Sequence, residues 1–232
     1  AIKHHGFVSR DRRFPNPVDG VDRRREPAPD ITFLTLDQIR EQLDALEGRP
    51  VLRAIAATCI YAGLRRGEAV MLTQDDVDLK GRLIRVRAKT VQGETWQPKT
   101  KRNRAVPISD ALHAILETYR PLRSIGWFFP SPKGKRWDPD NLTHELAKVN
   151  RRNGLPWKCG DFRHTFGSHL AQKGESLYKI ATLMGNSPSI CRRHYAALVP
   201  EQMRDVVEFA AGRRMPPDDD DDTRAMLRKI IE

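Results

Sequence analysis

Apolar residues first recur at helical spacing from Leu36 onward: Leu36, Ile39, Leu43 and Leu46 share one face, and Gly48 closes the run. Thr35 and Gln38 have capping-box spacing, so the hydroxyl can serve the amide three residues on and the amide side chain can reach back. Val51 to Leu64 is a second helix, mostly apolar on all sides, which places it in the core. The segment Gly63-Leu64-Arg65-Arg66-Gly67-Glu68 interrupts it, and a short helix with Ala69, Val70 and Leu72 follows. The period then changes to two: residues 82 to 88 alternate, with Leu83, Ile84 and Val86 among arginines, and predict a strand. Trp96 to Lys99 and Arg104 to Ile108 are expected as two more short strands around the polar turn Thr100 to Asn103. Ser109 to Tyr119 reads as a helix capped by Ser109, Trp127 to Phe129 as a short buried piece, and Asn141 to Asn150 as a helix. The last third is helical over about 161 to 173, 176 to 184, 188 to 197 and 200 to 212. The expected fold class is mainly α with a small antiparallel β-sheet, an α+β arrangement.

Outside this body the pattern fades. Residues 1 to 30 are rich in Arg, Pro and Asp and suit an extended arm or linker. The body spans 31 to 212. Residues 213 to 232 hold an acidic spacer, Asp218 to Asp222, and then Thr223 to Ile231, which can form one short amphipathic helix with Met226, Leu227, Ile230 and Ile231 apolar. The apolar runs, such as Ala54 to Ile60, fall far short of the roughly 20 residues that cross a bilayer, so no membrane association is expected. The start carries no signal-peptide pattern and no Met, and is read as the edge of a fragment. Cys59, Cys159 and Cys191 are far apart with no C-x-x-C, which argues against a disulfide framework or structural zinc and for a reduced, cytoplasmic setting.

Charge narrows the partner. The chain has 41 Lys and Arg against 30 Asp and Glu, a net +11, and five of the acids sit in the single run 218 to 222. The rest is therefore more basic still, and a body that cationic wants a polyanion, of which nucleic acid is the commonest. There is no P-loop, G-x-G-x-x-G, H-E-x-x-H or G-x-S-x-G, and no acidic cluster in the body looks built for Mg²⁺. No cofactor and no metal are expected. What remains for chemistry on nucleic acid is a side-chain nucleophile with cationic residues around a phosphate.

Four segments then line up: Tyr61-Ala62-Gly63-Leu64-Arg65-Arg66-Gly67-Glu68; Pro98 to Ile108 (Pro98-Lys99-Thr100-Lys101-Arg102-Asn103-Arg104-Ala105-Val106-Pro107-Ile108); Asp161-Phe162-Arg163-His164-Thr165-Phe166-Gly167-Ser168; and Met184-Gly185-Asn186-Ser187 with Arg193-His194-Tyr195. Their order and spacing resemble the catalytic domain of tyrosine recombinases, the phage-integrase family, over about residues 31 to 212. The start, with Gly6 and Asn16-Pro17, looks like the end of that family's core-binding domain. The resemblance implies a site-specific recombinase or integrase from a mobile element, working on double-stranded DNA through a 3′-phosphotyrosyl intermediate. Tyr195 is the implied nucleophile, Arg65 and Arg163 the phosphate clamp, and Lys99 the proton donor to the leaving 5′-oxygen, with Lys89 and Lys101 as nearby candidates. Forked guanidinium hydrogen bonds suit the two non-bridging oxygens. Lys101, Arg102, Arg104, Arg192 and Arg193 are expected DNA contacts, and Glu68 and His164 are read as structural. Self-association is expected on DNA, as a tetramer in synapsis and a monomer or dimer off it, at the nucleoid. The C-terminal segment is expected either to dock on a neighbouring protomer or to remain a solvated end.

Two positions depart from the family pattern. Where the family usually has a histidine base, three residues before the second arginine, this chain has Gly160; where it usually has His or Trp, nine residues before the nucleophile, it has Asn186. Asn186 can still donate a hydrogen bond to a phosphate oxygen. Gly160 cannot move a proton. A degenerate family member that binds DNA without cutting it is therefore the alternative, and a type IB topoisomerase a third.

Overall fold

The computed structural model describes residues 31–119 and 126–199. Its centre is α2 (Pro50–Ala62), in which Leu52, Ala54 to Ile60 and Ala62 are all buried. Pro50 stands at the first turn, where a missing N–H costs nothing. The helix stops because Gly63 turns left-handed at φ 63°, and because α6 crosses so close that any Cβ at 63 would overlap the Phe166 ring. Before it, α1 (Leu36–Asp44) starts on the expected capping box: Thr35 Oγ1 accepts from the Gln38 N–H at 3.3 Å and Gln38 Oε1 accepts from the Thr35 N–H at 2.8 Å. After it come the single-turn α3 (Arg66–Ala69) and a 3₁₀ turn, Gln74–Asp76.

A three-stranded antiparallel sheet, in the order β1-β2-β5, joins β1 (Val77–Asp78), β2 (Leu83–Val86) and β5 (Arg104–Pro107). Its register pairs Ile84 with Val106 and Val86 with Arg104. Ile84, Val86 and Val106 point into the core, as the alternating sequence requires. The expected pairing of Trp96–Lys99 with Arg104–Ile108 does not form. Trp96 ends β4 (Glu94–Trp96), which pairs instead with β3 (Lys89–Val91) across the Gln92-Gly93 turn. Both turn residues have positive φ, 51° and 83°, the geometry of a two-residue hairpin turn that matches strand twist. Gln at the first turn position hid that signal in the sequence. The segment after β4 becomes a loop closed by the Lys101 N–H donating to the Pro98 carbonyl at 2.7 Å.

The helix α4 (Asp110–Thr118) is capped by Ser109, and Trp127 to Phe129 is a buried piece, as expected. The next helix, α5 (Pro139–Arg152), opens earlier than Asn141 because Asp138 accepts from the Asp140 and Asn141 N–H groups at 3.0 and 2.9 Å. It is tied to α1 by a buried bond from Gln42 Nε2 to Asn150 Oδ1, 2.8 Å. Then follow α6 (Cys159–Gln172), α7 (Leu177–Met184) and α8 (Pro188–Tyr195), ending in a 3₁₀ turn. The last three helices enclose a second, small core of Ala171, Ile180, Ala181, Met184, Cys191 and Tyr195, separate from the main core around α2. The arm 1 to 30 and the helices expected over 200 to 212 and 223 to 231 lie outside the described residues.

Candidate active site

The site grows from the end of α2. Once Gly63 has turned the chain, Leu64 is buried and Arg65 becomes the N-cap of α3, with Glu68 one turn on and 3 % exposed. Glu68 is the anion of the site. Its Oε2 accepts from the Arg65 N–H at 2.9 Å and Arg104 Nη2 at 2.6 Å; its Oε1 accepts from Arg65 Nη1 at 2.9 Å and Arg104 Nη1 at 3.1 Å. Arg163 Nη1 lies 3.9 Å from Oε2. Burial opposes the charge on this carboxyl, but hydrogen bonds from Arg104 and Arg65 more than offset it and hold its pKa below the usual carboxylate value. One carboxylate thus faces three guanidiniums, and the surplus charge is positive.

That surplus converges on one point. Arg65 Nη2 donates to Asn186 Oδ1 at 2.5 Å, and Arg163 Nη2 donates to the same oxygen at 3.0 Å. Backbone carbonyls fix both forks: Gly185 O accepts from Arg65 at 3.1 Å, Met184 O from Arg163 at 2.7 Å, and Gly63 O from Arg163 Nη1. Burial first, and Arg65 next, push the Arg163 pKa down to about 10, so it stays cationic at neutral pH. The pair opens into a cavity of about 330 Å³ lined also by Arg66, Thr143, Lys158, Cys159 and Gly160. A Cβ at Gly160 would meet nothing within 4 Å.

Tyr195 sits at the last turn of α8, 1 % exposed. Its ring packs close against α6 because Gly167 has no side chain; a Cβ there would come 2.5 Å from Tyr195 Cζ. Its hydroxyl is 3.2 Å from His164 Nδ1. Burial pushes the phenol up to about 12, with the Arg163 charge pulling the other way. No hydrogen bond joins Tyr195 to either arginine among the described residues; the link runs through α6, which carries Arg163 and His164 side by side.

The structure therefore brings Arg65, Arg163 and Asn186 into contact and sets Tyr195 beside them in a buried seat. Lys99, Lys101 and Arg102 are exposed on the loop between β4 and β5, and Arg192 and Arg193 are exposed on α8. Arg102 lines a neighbouring cavity of about 570 Å³ that reaches Asn186 and Ser187. Arg104, expected on the DNA-facing surface, is placed behind the arginine pair instead: its side chain is 6 % exposed, gripped by Glu68 and by Leu183 O at 2.8 Å. Sequence reasoning missed this seat, which depends on residues 36 and 79 positions away. Lys89, on β3, has its ammonium paired with Asp76, donates to Met71 O at 3.0 Å and lies 5.9 Å from the Trp96 ring centre. Among the described residues no group of three His, Cys, Asp or Glu is placed to hold a metal, and no helix is long and apolar enough to cross a membrane.

The phage integrase family model matches residues 32–202. The chain is 28 % identical over 210 residues to a XerC-like tyrosine recombinase of Caldanaerobacter subterraneus, covering 77 % of this chain and 54 % of that protein. It is 27 % identical to the integrase of Escherichia phage P2, covering 83 % and 50 %. The chain thus spans about half the length of these relatives. Among solved structures, the catalytic domain of the bacteriophage HP1 integrase superposes with a TM-score of 0.58 at 25 % identity, covering 78 % of this chain and 95 % of that one. The Tn1549 transposon integrase in complex with transposon right end DNA shares the fold, with a TM-score of 0.63 at 19 % identity over 84 % of this chain and 70 % of that one.

Proposed function

We propose that this chain, which belongs to the phage integrase family, cuts and rejoins double-stranded DNA site-specifically by a metal-free transesterification at Tyr195. The observation that carries the reading is the convergence of Arg65 and Arg163 on a single oxygen, that of Asn186. A phosphodiester gains negative charge on its non-bridging oxygens in the pentavalent transition state. Two pre-set guanidiniums, fixed by backbone carbonyls and by Glu68, meet that charge without reorganising. A phosphate oxygen entering the site takes over the arginine donors that Asn186 Oδ1 now holds, and the Asn186 amide nitrogen adds another donor.

Tyr195 attacks phosphorus, a 3′-phosphotyrosyl link forms and the 5′-oxygen leaves. A 5′-hydroxyl from a partner strand reverses the step. Because the hydroxyl lies in a buried seat, the phenol turns to meet the phosphate when DNA binds. Lys99, exposed on the loop after β4, donates the proton to the leaving oxygen. A second reading, Lys89, is favoured by one observation: it stands on the β3–β4 hairpin, where burial lowers its pKa below the ordinary lysine value. Lys101, Arg102, Arg192 and Arg193 hold backbone phosphates. Arg104 acts as a positioning residue. Exchange between two duplexes involves four scissile phosphates, so four protomers meet in synapsis, at the nucleoid in the cytoplasm.

The test is a nicked suicide duplex selected by the protein from a randomised DNA pool. The wild-type chain is expected to form a covalent DNA adduct, with EDTA present, and Tyr195→Phe to form none while still binding. An adduct that persists in Tyr195→Phe rejects the nucleophile. Tight binding with no wild-type adduct supports the alternative, a member that binds DNA without cutting it.

A further inference from the structure

We infer that His164 is the group that takes the phenolic proton of Tyr195 as it attacks, an assignment that rests on the cleavage reading above. His164 Nδ1 lies 3.2 Å from the Tyr195 hydroxyl, and among the described residues no other group hydrogen-bonds that oxygen. The contact is built by helix packing. α6 carries His164, Gly167 clears the space beside it, and α8 lays the phenol across that gap with the two rings 6.2 Å apart. The cavity at the arginine pair offers no rival: its lining is Arg65, Arg66, Thr143, Lys158, Cys159, Gly160 and Arg163, with neither an imidazole nor a carboxylate. The Cys159 thiol there is pushed up by burial and carries no free anion at neutral pH.

The phenol needs an acceptor. With its pKa raised to about 12, only about 10⁻⁵ of it ionises unaided at pH 7. His164 is suited to the task. Burial, and then the His194 ring 5.7 Å away, hold it below the ordinary histidine value; Asp161 pulls the other way, and Arg163 adds to the lowering. The charged and titratable groups acting on it are thus His194 and Tyr195 on α8, and Asp161 and Arg163 on α6. It is neutral at pH 7, and its Nδ1 lone pair accepts from the phenol in the Nε2–H tautomer.

The step balances. The Tyr195 O–H bond breaks, the proton passes to His164 Nδ1, and the electron pair stays on the phenolic oxygen. That oxygen bonds to phosphorus. The bond from phosphorus to the 5′-oxygen breaks, and the departing oxygen takes a proton from the lysine ammonium. On rejoining, the imidazolium returns its proton to Tyr195. The histidine–tyrosine contact is made before DNA arrives and is kept as the phenol turns to the phosphate.

The experiment is single-turnover adduct formation by the 232-residue chain on the selected nicked duplex, across pH. The wild-type rate is expected to fall as pH drops through the lowered histidine value, because protonated His164 accepts nothing. His164→Asn is expected to lose about 10²- to 10⁴-fold in rate and to lose that acid limb, with DNA affinity unchanged. Added imidazole is expected to restore part of the rate in His164→Ala. A purely structural role alters melting temperature and affinity but gives no imidazole rescue. Should His164 variants fail to fold, His194→Gln supplies the second measurement: with the His194 influence removed, the acid limb moves to higher pH. A wild-type rate and acid limb in folded His164→Asn overturns the assignment, as does an unmoved limb in His194→Gln. A wild-type chain that forms no adduct brings down the cleavage reading and this assignment together, whereas an adduct dependent on Tyr195 but indifferent to His164 removes only the latter.

Discussion

The Glu68 carboxylate grips Arg104 with both of its oxygens, at 2.6 and 3.1 Å, while also holding Arg65 by backbone and side chain. A single buried anion therefore aligns the arginine that contacts Asn186 and the arginine that backs it. Glu68→Ala leaves these guanidiniums without their counter-charge, and is expected to cost about 3–5 kcal/mol of stability, read as a lower urea midpoint. The pH response has a definite sign. Although burial opposes ionisation, Arg104 and Arg65 hold the folded pKa below the ordinary 4.5. The stabilisation is present above that ordinary value and fades as pH falls through the lower folded value. Glu68→Gln is expected to flatten this part of the acid-unfolding curve; an unchanged slope refutes the role.

Arg104 and Arg102 are two residues apart and are expected to behave differently. Arg104 is buried against Glu68 and Leu183 O, so Arg104→Ala lowers the melting temperature and the cleavage rate together. Arg102 is exposed beside the larger cavity. Arg102→Ala is expected to leave stability unchanged, weaken DNA binding and reduce the salt-dependence slope by about one. Salt titrations of both variants separate the two roles.

The proton donor is decided by a substrate in which sulfur replaces the leaving 5′-oxygen, since a thiolate departs without protonation. If Lys99 is the donor, Lys99→Ala loses about 10²- to 10⁴-fold on the oxygen substrate and recovers on the sulfur one. The same pattern in Lys89→Ala, with Lys99→Ala unaffected, moves the role to the hairpin. Lys89→Ala is also expected to destabilise the fold, because it strips a partner from Asp76, which is fully buried.

Gly167→Ala places a methyl group 2.5 Å from Tyr195 Cζ. The ring must give way, at a cost of about 1–3 kcal/mol from overpacking. Tyrosine fluorescence quenching by a soluble quencher is expected to rise as the phenol is forced out of its seat. No change in quenching shows that α6 and α8 separate instead.

The parts of this protein governed by neighbours along the chain are legible in the order of its residues. The capping box at Thr35 and Gln38, the all-round apolar α2 and the alternation of Leu83 to Val86 each depend on contacts within a few residues. The two arginines, the asparagine and the tyrosine are legible as a set because their motifs are local runs in a recognisable order. The β3–β4 hairpin is not, because its Gln92-Gly93 turn lacks the usual residue preference and its strands are three residues long.

Side-chain destination is beyond the sequence. Arg102 and Arg104 read as equals along the chain and both line the larger cavity, yet the first is exposed and the second is held by a carboxylate from α3 and a carbonyl from α7. His164 reads as a packing residue until α8 folds back to set a phenol against it. Local spacing specifies which helices and strands form, because propensity and capping act over one turn. Which charges pair, and which proton has somewhere to go, are settled only when elements far apart in the chain exclude water from a shared space, where an unmatched group costs most.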